Sequence, residues 1–143
     1  MSSVSGGEGH FSLPVRIYYE DTDAGGVVYY ANYLRYMERA RNDWLRGLGY
    51  DLSRLVDEHE LVFVVRAASL EYLAPGRLDD LLTVTAAIEK IGRASLGFRQ
   101  QVLRAGELLV DARLTLVTVD AGSLKPCRLP DFLTKKIKKW IQQ

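Results

Sequence analysis

The spacing of apolar residues predicts two helices in the first half of the chain. Between residues 31 and 48, apolar side chains recur at steps of three and four, which places Tyr33, Met37, Ala40, Trp44 and Leu48 on one helical face. Gly49 follows directly and suits the left-handed conformation that ends many helices. Asp51 can then cap a shorter helix that runs to about residue 58.

Most of the remaining chain has the pattern of β-strands. In residues 107–120, apolar side chains alternate with Asp111, Arg113 and Thr115, which is typical of a sheet with one buried face. Short turns such as Pro75-Gly76 separate the segments, and short connections favour antiparallel neighbours. We predict five strands, at residues 14–20, 61–74, 79–91, 94–103 and 107–120.

These elements predict an α+β fold in one domain. A helix with a long apolar face must bury it, and a sheet with one polar face offers its other face for packing. We therefore expect the long helix to pack against the inner face of a curved antiparallel sheet. The domain is predicted to span residues 13–143, after a flexible Ser- and Gly-rich tail at residues 1–12, and to close with an amphipathic helix at residues 129–143.

Composition and charge exclude several classes of protein. The formal net charge is +1, with 48% hydrophobic and 26% charged residues, which argues against a disordered chain and a generally basic nucleic-acid binder. The single cysteine, Cys127, cannot form an internal disulfide bond. No uncharged run approaches the roughly 20 apolar residues of a membrane span, and the N-terminus lacks a signal-peptide pattern. We therefore expect a cytoplasmic protein.

The candidate chemistry lies in residues 21–26, where two aspartates precede two glycines. Asp21 and Asp23 stand at the junction of the first predicted strand and the long helix. Gly25 and Gly26 allow positive φ angles or a close approach of a ligand to the backbone. The helix that follows presents unpaired N–H groups and the positive end of its dipole. A carboxylate and a helix N-terminus that converge can polarise a carbonyl group and attack it, or activate water against it.

Two structural explanations of the same residues stay open. Either aspartate can form an Asx turn or cap the helix, with the glycines serving only the turn. Asp21 and Asp23 can also ligate a metal, but the regularly spaced oxygen ligands of a calcium loop are absent, so we expect no metal.

The leaving group of the reaction follows from what the turn lacks. Neither histidine, His10 or His59, is near it in sequence, and no motif for phosphate or dinucleotide binding is present. A site without an obvious general acid suits a leaving group that departs unaided. A thiolate, whose conjugate acid has a pKa of roughly 8.5, is such a group. The expected substrates are therefore thioesters.

Two long stretches resemble a known family. Residues 15–41, VRIYYEDTDAGGVVYYANYLRYMERAR, and residues 71–84, EYLAPGRLDDLLTV, are similar to the hot-dog-fold thioesterases, specifically the YbgC type associated with the Tol-Pal gene cluster. The resemblance runs from about Leu13 to Pro130. It implies a five- or six-stranded antiparallel sheet wrapped around a central helix, and hydrolysis of an acyl-CoA to a carboxylic acid and free CoA without a cofactor. It also implies homodimers or homotetramers with active sites at subunit interfaces.

The resemblance assigns roles to individual residues. The family's catalytic carboxylate falls on Asp23, as general base on water or as nucleophile, and its oxyanion donor falls on the backbone N–H of Tyr30. Gly25 and Gly26 shape the approach. Many YbgC-type proteins carry a histidine at the position of Tyr30, whereas the related 4-hydroxybenzoyl-CoA thioesterases resemble this chain in having tyrosine there. A backbone donor survives that change of side chain.

Charged residues outside the turn have other expected roles. Four lysines between Lys135 and Lys139 give the C-terminal helix a basic face, which we interpret first as the solvated side of a helix that docks through Ile137 and Trp140. The alternative is contact with an acyl carrier protein, a phosphorylated ligand or an anionic surface at the inner membrane. Glu38 lies three residues from both Arg35 and Arg41, and we interpret it as an intrahelical ion pair rather than a catalyst. The candidates for binding CoA are Arg66, Arg93 and Ser95.

Two other functions compete with thioester hydrolysis. One is a non-catalytic module that binds acyl groups or an acyl carrier protein through the same groove and the basic helix. The other is a hot-dog hydratase or dehydratase, which the lack of a histidine in the motif disfavours.

Overall fold

The computed structural model describes residues 3–4 and 10–142, and within them it contains three α-helices and one β-sheet. The helices are α1 (Asn32–Gly47), α2 (Leu52–His59) and α3 (Asp131–Ile141). The strands are β1 (Ser3–Val4), β2 (His10–Arg16), β3 (Leu61–Tyr72), β4 (Leu81–Ile91), β5 (Ser95–Arg104) and β6 (Glu107–Asp120). The strands pair antiparallel in the order β1-β2-β4-β5-β6-β3, which confirms the α+β class.

The helix ends predicted around residue 50 are confirmed. The Asp51 side chain accepts a hydrogen bond from the backbone N–H of Arg54 at 2.8 Å, and so caps α2. Gly49 has a φ angle of +99°, in the left-handed region that glycine adopts at little cost. Nζ of Lys136 donates to the carbonyl of Leu48 at 3.0 Å, which satisfies an otherwise unpaired acceptor at the end of α1.

The first long strand lies earlier than predicted, at His10–Arg16 instead of residues 14–20. The prediction was wrong because β2 pairs with β4, and β4 begins only at Leu81. Leu81 pairs with Arg16, so β2 has no partner beyond Arg16 and ends there. The predicted tail is also wrong for residues 10–12, because they belong to β2 and Phe11 is buried. The rest of that tail, apart from the two residues of β1, lies outside the described residues.

The core lies between α1 and the inner face of the sheet. Met37, Ala40 and Trp44 of the predicted helix face are buried. The Trp44 ring meets Phe98 of β5 edge-on, with their centroids 5.4 Å apart. Burial of each large apolar side chain contributes about 1.5–3 kcal/mol, so α1 is held firmly against the sheet. Its N-terminus therefore gives a rigid base to the loop that carries the candidate chemistry.

The last helix, α3, covers the C-terminal part of α1. Its side chains Leu133, Ile137 and Trp140 are buried, and the rings of Trp140 and Trp44 lie 5.5 Å apart. The lysines of α3 are exposed. The amphipathic helix predicted near the end of the chain is thus confirmed. In the described part of the chain, no helix is long and apolar enough to cross a membrane.

Candidate active site

Backbone hydrogen bonds hold residues 21–30, here called the aspartate loop, as a closed turn. The Asp21 carbonyl accepts from the backbone N–H of Tyr29 at 3.0 Å and from the side-chain amide of Asn32 at 2.9 Å. The N–H of Asp23 donates to the carbonyl of Val27 at 2.9 Å. Asn32 is the first residue of α1, so these bonds tie both ends of the loop to the start of the helix.

Glycine suits the two positions in the loop for different structural reasons. Gly26 has a φ angle of +76°, in the left-handed region that side chains disfavour. At Gly25, a Cβ atom would lie 3.4 Å from Oδ1 of Asp23. A side chain at either position would therefore strain the loop or crowd the Asp23 carboxylate.

The structure separates the two aspartates that the sequence alone could not rank. Oδ2 of Asp21 accepts from the backbone N–H of Tyr18 at 2.8 Å, which caps the short 3-10 turn at Tyr19–Asp21. Burial is the main cause that raises the pKa of the Tyr36 phenol, and the negative charge of Asp21 raises this pKa further. The side chain of Asp21 therefore has a structural role in the turn.

The Asp23 side chain is exposed to solvent. Its Oδ1 accepts from the N–H of Gly25 at 2.9 Å, which is the Asx-turn geometry considered as one explanation of the motif. Its Oδ2 has no hydrogen-bond partner among the described residues. One oxygen therefore orients the carboxylate while the other is free to act on a bound molecule.

The backbone N–H of Tyr30 is available as a donor. Across residues 10–142, none of the hydrogen bonds in the structure uses it. Tyr30 immediately precedes Ala31, the N-cap of α1, where the helix dipole favours negative charge. The loop thus presents an oriented carboxylate at Asp23 and an unpaired N–H group at Tyr30, the two residues to which the resemblance assigns the catalytic base or nucleophile and the oxyanion donor.

Three tyrosines form an aromatic pocket beside the aspartate loop. The rings of Tyr30 and Tyr72 lie 6.1 Å apart, and those of Tyr33 and Tyr72 lie 5.9 Å apart. A cavity of about 280 Å³ is bounded by these tyrosines and by Val28, Leu73, Ala74 and Pro75. Its walls are mostly apolar, so it suits an organic group held next to the loop.

A contact between Tyr33 and Gly76 fixes this pocket, and the sequence did not reveal it. The N–H of Gly76 donates to the Tyr33 hydroxyl at 2.9 Å, and the carbonyl of Gly76 accepts from the N–H of Val28 at 2.8 Å. A Cβ atom on Gly76 would lie only 3.2 Å from Cγ2 of Val28. Burial raises the pKa of Tyr33, while the bond from Gly76 acts in the opposite direction. The only sequence signal was the Pro75-Gly76 turn.

Replacing Tyr33 by phenylalanine is expected to lower the free energy of unfolding by about 1–3 kcal/mol, because the buried N–H of Gly76 loses its acceptor. Urea unfolding of Tyr33→Phe measures this change. Tyr29→Phe removes a hydroxyl from a ring that is 48% exposed and is the matched control. Equal stability of the two variants would show that the Tyr33 hydroxyl does not hold this turn.

An ion pair between Asp80 and Arg104 braces the same turn from the sheet. Oδ2 of Asp80 accepts from Nη1 of Arg104 and from the N–H of Arg77, each at 2.8 Å. Nη1 of Arg104 also donates to the carbonyl of Pro75 at 3.2 Å. Burial acts to raise the pKa of Asp80, but these hydrogen bonds outweigh it and lower the pKa. No local pattern in the sequence indicates this pair.

We expect Asp80→Asn to lower the free energy of unfolding by about 1–2 kcal/mol at pH 7. A carboxylate whose pKa is lowered by folding adds stability above its unfolded pKa, roughly 3.9, and loses it as the pH falls through the folded value. The difference in free energy of unfolding between Asp80→Asn and the wild type, measured by urea unfolding, should therefore shrink below about pH 4. Asp79→Asn, at an exposed neighbouring carboxylate, is the control. A gap that is unchanged at pH 3 would contradict the role of the ionised Asp80.

The three residues predicted to bind CoA are not brought to the aspartate loop within one subunit. Along the sheet, Ser95 pairs with Val117, which pairs with Val64, whereas Tyr72 marks the end of β3 near the aromatic pocket. Eight residues of strand span about 26 Å, so Ser95, and Arg93 two residues before it, lie far from Tyr72. Arg66 lies exposed near the middle of β3.

Comparisons with known proteins agree with this architecture. The thioesterase-like superfamily matches residues 18–137 of the chain. The acyl-CoA thioesterase YbgC of Haemophilus influenzae is 43% identical over 120 residues, which cover 84% of this chain and 88% of that protein.

Solved structures share the fold. The crystal structure of a probable thioesterase from Bartonella henselae is 34% identical, with a TM-score of 0.81 over 85% of this chain and 99% of that one. A 4-hydroxybenzoyl CoA thioesterase has a TM-score of 0.84 at 22% identity, over 90% of this chain and 99% of that one. The predicted hot-dog fold is thereby confirmed. The superfamily match covers residues 18–137, and the YbgC relative aligns over most of both chains. This protein therefore belongs to the thioesterase-like superfamily and, within it, to the YbgC family of acyl-CoA thioester hydrolases.

Proposed function

We propose that this protein hydrolyses an acyl-CoA to a carboxylic acid and free CoA at the aspartate loop. The observation that carries the proposal is that one loop, closed by hydrogen bonds, presents both a free Asp23 carboxylate oxygen and an unpaired N–H at Tyr30. Hydrolysis of a thioester needs a base or nucleophile and a donor for the oxyanion, and these two groups supply them. The absence of a Cβ atom at Gly25 leaves the space beside Oδ1 of Asp23 open.

The proposed reaction uses both groups. Oδ2 of Asp23 takes a proton from water while the water oxygen attacks the thioester carbonyl carbon. The negative charge that develops on the carbonyl oxygen is stabilised by the N–H of Tyr30 and by the positive end of the α1 dipole. The C–S bond then breaks, and CoA leaves as a thiolate, which needs no strong acid because its thiol has a pKa of roughly 8.5.

A second route uses the same groups. The Asp23 carboxylate attacks the carbonyl carbon directly, CoA thiolate leaves, and water hydrolyses the resulting mixed anhydride. A single turnover in ¹⁸O-labelled water identifies the second route if water attacks the anhydride at the aspartyl carbon, because the label then stays in Asp23. Direct attack on the thioester, like attack on the acyl carbon of the anhydride, places the label in the product acid.

The acyl group is proposed to lie in the aromatic pocket formed by Tyr30, Tyr33 and Tyr72. The pocket adjoins the loop, and its volume of about 280 Å³ accommodates a short or aromatic acyl group. Thiol release from short, long and aromatic acyl-CoAs tests the activity and names the acyl class. Tight binding of an acyl-CoA without turnover anywhere in the panel would favour the non-catalytic binding module.

The active assembly is proposed to be a homodimer or a dimer of dimers. Arg93 and Ser95 lie at the end of the sheet away from Tyr72, so they do not adjoin the same subunit's loop. In an antiparallel pair of subunits, the opposite ends of the two sheets lie together. Arg66, Arg93 and Ser95 of one subunit would then bind the CoA held at the loop of the other.

The exposed lysines of α3 support an acidic partner for the proposed enzyme. Lys135, Lys138 and Lys139 face solvent, while the apolar side of the helix is buried against the domain. An acyl carrier protein as a second acyl donor, and contact with the inner membrane from a cytoplasmic location, both fit that charge. Salt-dependent binding to an acyl carrier protein, or to vesicles containing anionic lipid, distinguishes the two partners.

A further inference from the structure

A turn outside the proposed chemistry joins the aspartate loop to the sheet. Residues 75–80, here called the brace turn, connect the end of β3 to the start of β4. The N–H of Val28 donates to the carbonyl of Gly76 at 2.8 Å, and the N–H of Leu78 donates to the carbonyl of Gly26 at 3.2 Å. These two bonds tie the loop to the turn in both directions. The position of the aspartate loop therefore depends on the position of the brace turn.

The brace turn contains a residue in a disfavoured backbone conformation. Asp79 has a φ angle of +71°, in the left-handed region that residues other than glycine adopt at a cost. Such a conformation persists only where surrounding contacts fix it, and it occurs preferentially at functional sites. The N–H of Asp79 donates to the carbonyl of Ile17, and the N–H of Ile17 donates to the carbonyl of Asp80, each at 2.9 Å. Contacts from outside the turn thus hold this conformation on one side.

One side-chain pair holds the turn on the other side. Nη1 of Arg104, the last residue of β5, donates to Oδ2 of Asp80 at 2.8 Å and to the carbonyl of Pro75 at 3.2 Å. A single guanidinium nitrogen therefore contacts both the first and the last residue of the brace turn. The side chains of Arg104 and Asp80 are only 27% and 21% exposed, so water weakens this charge-assisted bond less than it would at the surface.

The brace turn also bounds the pocket proposed for the acyl group. Pro75 lines that pocket, and the N–H of Gly76 donates to the hydroxyl of Tyr33, one of its three tyrosines. The turn therefore contacts both the pocket and the loop that carries Asp23. Hydrolysis needs the acyl carbonyl and the carboxylate at a set separation, and a misplacement of about 1 Å can cost roughly 100-fold in rate.

We propose that Asp80 and Arg104 are positioning residues for the hydrolysis. By fixing the brace turn, they set the Asp23 carboxylate and the N–H of Tyr30 against the acyl group held in the aromatic pocket. This inference rests on the proposed function, and it gives the ion pair a role in kcat beyond its role in stability. Neither side chain touches the reacting atoms, so both act through the turn.

Turnover of folded variants tests the assignment. Asp80→Ala removes the acceptor of Arg104, and we expect kcat for thiol release to fall by about 30-fold with KM within about threefold of the wild type. Glu107→Ala is the matched control, because it removes the acceptor of Nη2 of Arg104, bonded at 2.8 Å, without touching the brace turn. It should keep kcat within about twofold. Urea unfolding shows that each variant is folded under assay conditions. A wild-type kcat in folded Asp80→Ala overturns the assignment and leaves a role in stability only.

Variants of Arg104 test whether the two side chains act as one unit. Arg104→Met should lose about as much kcat as Asp80→Ala, and the double variant should be little worse than either. Arg104→Lys keeps a cation that can bind Asp80, so it should recover most of the activity. Losses that multiply in the double variant, or an Arg104→Met variant with wild-type kcat, overturn the pair.

Amide hydrogen exchange tests the anchoring without turnover, and it uses the milder Asp80→Asn in case Asp80→Ala does not fold. The N–H groups of Val28 and Leu78 carry the two bonds between loop and turn. Their exchange should accelerate at least about fivefold more than that of Ala112 in the central strand β6, which follows global stability. An equal acceleration at all three amides overturns the anchoring. Absence of thiol release by the wild type would instead overturn the proposed hydrolysis, whatever the exchange shows.

Discussion

Asp23→Asn is expected to reduce kcat for thiol release from a good acyl-CoA substrate by about 100-fold or more. An amide cannot take the proton of the attacking water, and it is not a nucleophile toward the thioester, so both routes lose their reacting group. Substrate binding should change little, because the amide oxygen can still accept the N–H of Gly25. Steady-state assays with circular dichroism spectra measure the loss at equal folding.

The matched control for this variant is Asp21→Asn. The amide oxygen of asparagine can still accept from the N–H of Tyr18, so the 3-10 turn is retained. We expect Asp21→Asn to keep most of the turnover. The reverse result, loss in Asp21→Asn and activity in Asp23→Asn, would transfer the catalytic role to Asp21.

The second large effect is expected from Tyr30→Pro, which removes the backbone N–H that we assign to the oxyanion. Loss of one oxyanion donor lowers kcat by about 100- to 1,000-fold in enzymes of known mechanism. Proline is tolerated at the first turn of a helix, so α1 should still form. The measurement is kcat at saturating substrate, because the donor acts mainly on the transition state.

Tyr30→Ala separates the backbone from the ring. It deletes the phenol and keeps the N–H, so we expect a higher KM with a kcat within about tenfold of the wild type. If Tyr30→Ala loses as much kcat as Tyr30→Pro, the side chain and not the backbone carries the function of this residue.

Local patterns predicted the helices and the loop well. The apolar spacing of α1, the cap at Asp51 and the left-handed Gly49 each depend on neighbouring residues, and the structure confirms all three. The first strand was misplaced because its position depends on pairing with β4, which begins at Leu81. A β-rich composition in residues 14–20 could not show where that partner starts.

The contacts that support the site could not be predicted from local sequence patterns. Tyr33 and Gly76 are 43 residues apart, Asp80 and Arg104 are 24 apart, and the buried pair of Arg41 and Gln100 is 59 apart. No spacing rule brings such residues together; only the completed packing of α1 on the sheet does. Spacing alone left Asp21 and Asp23 equivalent and the resemblance assigned the catalytic role to Asp23, while the different hydrogen bonds of the two side chains became visible only in the structure.

The central claim is that Asp23 and the N–H of Tyr30 act on the same acyl carbonyl. Comparing kcat/KM for Asp23→Asn, Tyr30→Pro and the double variant, with one acyl-CoA, tests it most directly. Groups that act together on one transition state show strongly non-additive losses, so the double variant should be little worse than Asp23→Asn alone. Losses that multiply in the double variant, or a single variant with wild-type turnover, would contradict the claim.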